Sequence, residues 1–177
     1  MNILTLHAIY RFKGATERHM LLQIWPIVAT HLCSLAVVNG QEDLTRVPNA
    51  AGSSVVEAVV GLIQGSSIFL NDNKFLRSLA YVESKDGNDP ATYRDRYYGG
   101  IWQVDEVAFQ GTKNLIAHSE LTTKYAQIRT AFRIDWNRVQ WTDLRKPLYS
   151  ALAARLFFFN LATSIPFGIQ DQAEHWN

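Results

Sequence analysis

Tyr97-Tyr98-Gly99-Gly100-Ile101-Trp102-Gln103-Val104-Asp105 is the stretch on which the reading of this chain turns. Two adjacent glycines follow two tyrosines, and a tryptophan, a glutamine and an aspartate come directly after. Glycine lets a backbone turn sharply and lets another group approach it closely. Upstream, Phe75, Leu76, Leu79, Ala80 and Val82 recur three and four residues apart, which predicts a helix with one apolar face. Glu83 stands where that helix runs out, in Ala80-Tyr81-Val82-Glu83-Ser84, one turn after Leu79 and on the same inward face. A carboxyl set against apolar side chains can keep its proton near neutral pH. Residues 84–100 between the two signals are rich in Gly, Asp, Asn, Pro and Tyr, with turns expected at Asp86-Gly87 and Asn88-Asp89-Pro90. An irregular segment of that length inside one domain is usually functional.

The 177 residues suit one domain, and 47% apolar composition is enough for a real core. Charge is balanced and no run of like charge occurs, so the electrostatic footprint of a nucleic-acid binder is missing. Residues 1–40 read as a secretory leader. Arg11, Lys13 and Arg18 come first, an apolar stretch follows as far as Val37-Val38, and Val38 and Gly40 flank Asn39 at a plausible cut after Gly40. Met20 is a candidate true start. The competing reading is a membrane anchor, but Gln23, Pro26 and His31 interrupt a stretch barely long enough to span. Without the leader the rest, residues 41–177, carries 14 basic and 15 acidic residues, a formal charge of −1. Cys33 is the only cysteine and leaves with the leader. That excludes a disulfide scaffold, a cysteine nucleophile and a thiolate metal site. The expected product is secreted, extracellular and monomeric, with no stable membrane association.

Further elements are expected in order. Ser53-Ser54 cap a short helix carrying Val55, Val56, Val59, Val60, Leu62 and Ile63. Asp72 or Asn73 caps the helix that ends at Glu83. Ser119 starts a helix with Leu121, Tyr125, Ile128 and Phe132 on one face, and Pro147 opens a last strong helix through Leu148, Ala151, Leu152, Arg155, Leu156 and Phe159. Gly168 and Pro166 end it. Trp136, Trp141 and the run Phe157-Phe158-Phe159 are expected in the core. The fold class is α+β, mainly α-helical, with a short irregular or β segment after the Glu83 helix.

Most site chemistries are excluded by their missing motifs. Only His118 and His175 lie beyond the leader, too few and too far apart for a histidine-rich zinc site. No nucleophile elbow, phosphate loop or dinucleotide fingerprint occurs. Asp86-Gly87-Asn88-Asp89 lacks the closing glutamate of a calcium loop. No metal and no cofactor is expected. Carboxylates and aromatics remain, the equipment of glycoside hydrolysis, in which one carboxylic acid protonates the leaving oxygen and a second carboxylate activates water or attacks directly. Glu83 is the candidate acid; Asp95 and Asp105 are the candidate second carboxylates. Tyr97, Tyr98, Trp102 and Gln103 are candidate sugar contacts, and Gly100 lets a polymer approach the backbone.

Glu83-Ser84, a loop, Asp95-Arg96 and then Gly100-Ile101-Trp102-Gln103-Val104-Asp105 resemble the goose-type lysozymes and the related soluble lytic transglycosylases. Ile101-Trp102 stands where that superfamily commonly has Leu-Met, and the spacing from Asp95 to Asp105 is one residue shorter than in the goose type. The family's late Ala-Tyr-Asn-Ala-Gly segment has no clear counterpart. The resemblance covers about residues 75–110. It implies a lysozyme-like fold and Glu83, within a Glu83-Ser84 pair lining the site, as general acid. It also implies Asp95 and Asp105 as the groups that place or activate water, Gln103 as a cleft residue, and a polysaccharide partner, most often peptidoglycan. Capture of the intermediate by the sugar's own 6-hydroxyl would make the enzyme a lytic transglycosylase instead. A chitinase or chitosanase, and a non-catalytic carbohydrate-binding immune-recognition protein, are the alternatives.

Overall fold

A computed structural model of the chain describes residues 42–70, 72, 74–161, 165, 166, 168, 171 and 172. The chain divides into Met1–Glu42 and Asp43–Asn177, and apart from Glu42 the described residues all belong to the second unit. The expected leader therefore lies outside them, as do Asn73 and His175. Among the described residues five helices form its frame: α1 (Ser53–Gly65), α2 (Phe75–Ser84), α3 (Glu106–Gly111), α4 (Leu121–Phe132) and α5 (Pro147–Asn160). Short 3₁₀ turns at Leu44–Arg46, Trp136–Arg138 and Trp141–Arg145 connect or flank them. None of the helices is long and apolar enough to cross a membrane, among the described residues.

The unit is organised around α5. Pro147 occupies its first turn, where its missing N–H costs nothing. Leu148, Ala151, Leu152, Ala153 and Leu156 are each wholly buried, and Ala154 and Phe158 nearly so. A helix apolar on all sides belongs inside a domain. It touches α1, α2, α3 and the turns at Leu44–Arg46 and Trp141–Arg145. Phe158 meets Phe75 of α2 edge to face at 4.7 Å. The helix ends at Asn160, before the expected stop at Pro166 and Gly168. Leu121, Tyr125, Ile128 and Phe132 of α4 all face inward, following their spacing.

Where the structure departs from the expected elements, a local contact explains it. Ser53 and Ser54 sit inside α1 and do not cap it; the cap position is Gly52, whose φ of 107° brings the chain in and whose N–H donates to Asp86 O at 2.8 Å. Val82 is 74% exposed, because α2 turns its Leu76–Leu79–Ala80 stripe inward and leaves Tyr81 and Val82 on the outer side. No strand occurs among the described residues, and of the two forms expected for the segment after α2, irregular or β, it takes the irregular one. Its amides bond to nearby carbonyls, as Thr92 does to Asp89, Arg94 to Ala91 and Gln103 to Gly100. Amides spent on turns are not available for a ladder.

One charged pair sits within this core. Arg155 of α5 and Asp72 lie 3.4 Å apart with side chains 6% and 4% exposed, and Arg155 also donates from Nη2 to Leu70 O. Burial lowers the Arg155 pKa and the Asp72 carboxylate opposes that shift.

Candidate functional site

Glu83 occupies the last turn of α2, half-buried, and the chain reverses immediately behind it. Lys85 N–H donates to Tyr81 O and Asp86 N–H to Ala80 O, two nested bonds that close the helix end with Lys85 in the left-handed region at φ 50°. Asp86 and Gly87 continue in the left-handed region at φ 61° and 85°. Two devices hold this costly backbone. Ser84 Oγ donates to Ala80 O and accepts from Gly87 N–H. Arg77, one face of α2 earlier, grips both Asp86 carboxylate oxygens at 2.7 and 3.0 Å and reaches Glu57 of α1 with Nε. Asp86, expected only to form a turn, is thus a buried ion-pair partner. The Ser84 side chain is consumed in the same turn and is 1% exposed, so it supports Glu83 and offers no surface to a ligand.

The second part of the site is the Tyr97–Asp105 turn, which packs against α5. Ser150 Oγ donates to Gly99 O and accepts the Trp102 N–H. Gly100 adopts φ 65° with the Leu144 carbonyl directly beside it. Ile101 and Trp102 are wholly buried, and the indole N–H of Trp102 donates to Leu76 O of α2 at 2.8 Å. Trp102 therefore joins the turn to the Glu83 helix from inside and is not a sugar contact; Gly100, also buried, meets α5 rather than a polymer.

Gln103 departs from its expected role for a similar reason. It takes φ 49°, and its Nε2 donates to Gly100 O at 2.6 Å and Thr92 O at 3.4 Å while Oε1 accepts from Arg94. The amide is committed to bracing the turn.

Tyr97 is where the two parts meet. Its hydroxyl donates to Gln103 O at 2.7 Å, and the Arg94 guanidinium lies 3.5 Å above its ring centroid. Burial raises the Tyr97 phenol above its ordinary pKa; Arg94 pulls it down, and the Asp105 and Glu83 carboxylates push it further up. Glu83 and Asp105 thus bear on one phenol although 21 residues of sequence separate them. Tyr97 and Tyr98 both pack edge-on against Trp141, at 5.6 and 5.3 Å, and Trp141 Nε1 donates to Val104 O. Trp141, expected in the core, is only half-buried and forms one wall of this aromatic cluster. Sequence spacing held no signal for Trp141 or Arg94 because both reach the cluster through tertiary contacts.

The two candidate second carboxylates separate here. Asp95 is 93% exposed and pairs with Arg96, itself 91% exposed, at 3.5 Å. Asp105 caps α3, its Oδ1 accepting from Ala108 N–H at 2.7 Å, and Oδ2 is left for other work. Substitution can split the two duties. Asp105→Ala is expected to lose the cap and about 1 kcal/mol of stability, whereas Asp105→Asn keeps a good cap. If Asp105 also serves the reaction, both variants lose activity alike, by roughly 10²-fold. Urea denaturation beside a turnover assay checks this, and an active Asp105→Asn variant would reduce the residue to a cap.

A cavity of about 460 Å³ lies elsewhere, walled by Ile63, Phe69, Asp72 and Arg155 among others. It includes none of the residues just described. Comparison of the chain with protein-family models, curated proteins and solved structures finds no match.

Proposed function

We propose that this chain is a secreted glycoside hydrolase with a lysozyme-like core, cleaving β-1,4 bonds of amino-sugar polymers, most often peptidoglycan. The observation that carries the reading is the contact between the two segments of the resemblance: Trp102 of the turn donates its indole N–H to Leu76 O of the helix that ends at Glu83. In the proposed reaction Glu83 donates its proton to the glycosidic oxygen as the bond from that oxygen to the anomeric carbon breaks. Asp105 takes a proton from a water that attacks the anomeric carbon on the opposite face, giving two shorter chains. Asp105 is preferred over Asp95 as the base, because Asp95 stands in solvent beside Arg96. Capture by the sugar's 6-hydroxyl remains the route to a transglycosylase product, and chitin or chitosan the alternative substrates.

A second reading, carbohydrate binding without cleavage, draws on the Tyr97, Tyr98 and Trp141 cluster, since aromatic rings serve a binding surface as well as an active one. Product analysis on purified peptidoglycan decides between them. New reducing ends with an inverted anomer support the hydrolase, and an anhydro product the transglycosylase. Binding with no product of either kind establishes the second reading.

A further inference from the structure

We propose that Arg94 is a specificity-determining residue of this site, gripping carboxylate groups carried by the sugar polymer. The inference rests on the glycosidase reading for its setting and adds the chemical class of the substrate. With the Gln103 amide spent on Gly100, Thr92 and Arg94 itself, the cation in direct contact with Tyr97 is the guanidinium above its ring.

Arg94 is exposed, yet its position is fixed. Nη1 donates to Ala91 O at 2.9 Å and to Gln103 Oε1 at 3.0 Å, and the guanidinium plane rests on the Tyr97 ring at 3.5 Å. Both hydrogen bonds use the same nitrogen. The edge formed by Nε and Nη2 takes no part in them, and that edge is the one that holds a carboxylate with two parallel bonds. A guanidinium anchored in advance loses less freedom on binding than a free side chain. The charge pattern supports the assignment. The Asp105 carboxylate that serves as base repels an acidic polymer, and a cation fixed on the Tyr97 ring offsets that repulsion where acidic substituents pass. A neutral polymer such as chitin gains nothing from Arg94, and the ammonium groups of chitosan are repelled by it.

The test compares intact peptidoglycan with the same material after its carboxyl groups are converted to amides, using the wild-type chain, Arg94→Gln and Arg94→Lys. Cleavage kinetics and cosedimentation binding are both read. Wild type is expected to show a KM roughly tenfold lower on the intact polymer than on the amidated one. Arg94→Gln should lose that preference through KM, with kcat nearly unchanged. Arg94→Lys keeps the charge without the fork and should recover only part of the preference. Equal weakening of Arg94→Gln on both polymers would make Arg94 a brace for Tyr97 and Gln103 only, and overturn the proposal; so would a wild type that does not discriminate. If the wild type binds but cleaves neither polymer, the hydrolase reading fails on its own, and the binding ratio still decides the role of Arg94. Absence of both binding and cleavage overturns the two together.

Discussion

Glu83→Gln should lower kcat by about 10³-fold on a polymer that the wild type cleaves, with little change in KM. The substitution keeps the size and polarity of the side chain and removes only its capacity to give up a proton. A general acid acts in the transition state, so its loss appears in kcat and kcat/KM together rather than in substrate binding. Folding provides the necessary control. The turn behind Glu83 is closed by backbone bonds to Ala80 and Tyr81, by Ser84 Oγ and by the Arg77–Asp86 pair. None of these uses the Glu83 carboxyl. Because Gln keeps the size and hydrogen-bonding capacity of the side chain, stability should stay within about 1 kcal/mol of wild type. Measurement of turnover beside a thermal melt separates the outcomes. A folded Glu83→Gln variant that still cleaves at the wild-type rate would remove Glu83 from the reaction and the mechanism with it.

The largest effect on stability is expected from Gly100→Ala. A Cβ at this position would lie 2.0 Å from the Leu144 carbonyl oxygen and 2.8 Å from Ser150 Cβ and Oγ. No rotamer change relieves a clash with a backbone oxygen, so either α5 or the turn must move. The φ of 65° adds the left-handed penalty of about 1–2 kcal/mol for any L-residue. Overpacking contributes about 1–3 kcal/mol more. The sum is about 2–5 kcal/mol, roughly 10 °C in melting temperature at its middle for a unit of this size. Gly61 is the matched control: it lies within α1, and a Cβ there meets nothing within 4 Å. Gly61→Ala should be neutral or stabilising by about 0.5–1 kcal/mol. Equal melting temperatures for the two variants would show that the turn does not sit against α5 as described.

Much of the helical frame was legible. The three-and-four spacing of Leu121, Tyr125, Ile128 and Phe132 predicts the buried side of α4 correctly, because helical periodicity is a local property of the chain. Pro147 at the start of α5 follows from an equally local rule. Val82 shows the limit of that reasoning. It fits an apolar stripe by spacing, yet it is exposed, since the neighbours that cover Leu76 and Ala80 do not extend over it. The irregular segment after Glu83 has no period at all. Left-handed backbone at Lys85, Asp86, Arg96 and Gln103 breaks any regular alternation, so position in sequence does not predict which way a side chain there points.

The site divides along the same line. By itself the sequence determined that Glu83 would end a helix and that a glycine-centred turn would follow. Each depends on residues a few positions apart. Only the tertiary structure decided that Trp102 turns inward to Leu76 O, that Gln103 braces the turn, that Arg94 and Trp141 flank Tyr97, and that Asp95 stands in solvent while Asp105 is held at the start of α3. The facing of an aperiodic turn is set by what it packs against. Here that is Ser150 and the Leu144 carbonyl, which lie more than forty residues further along the chain.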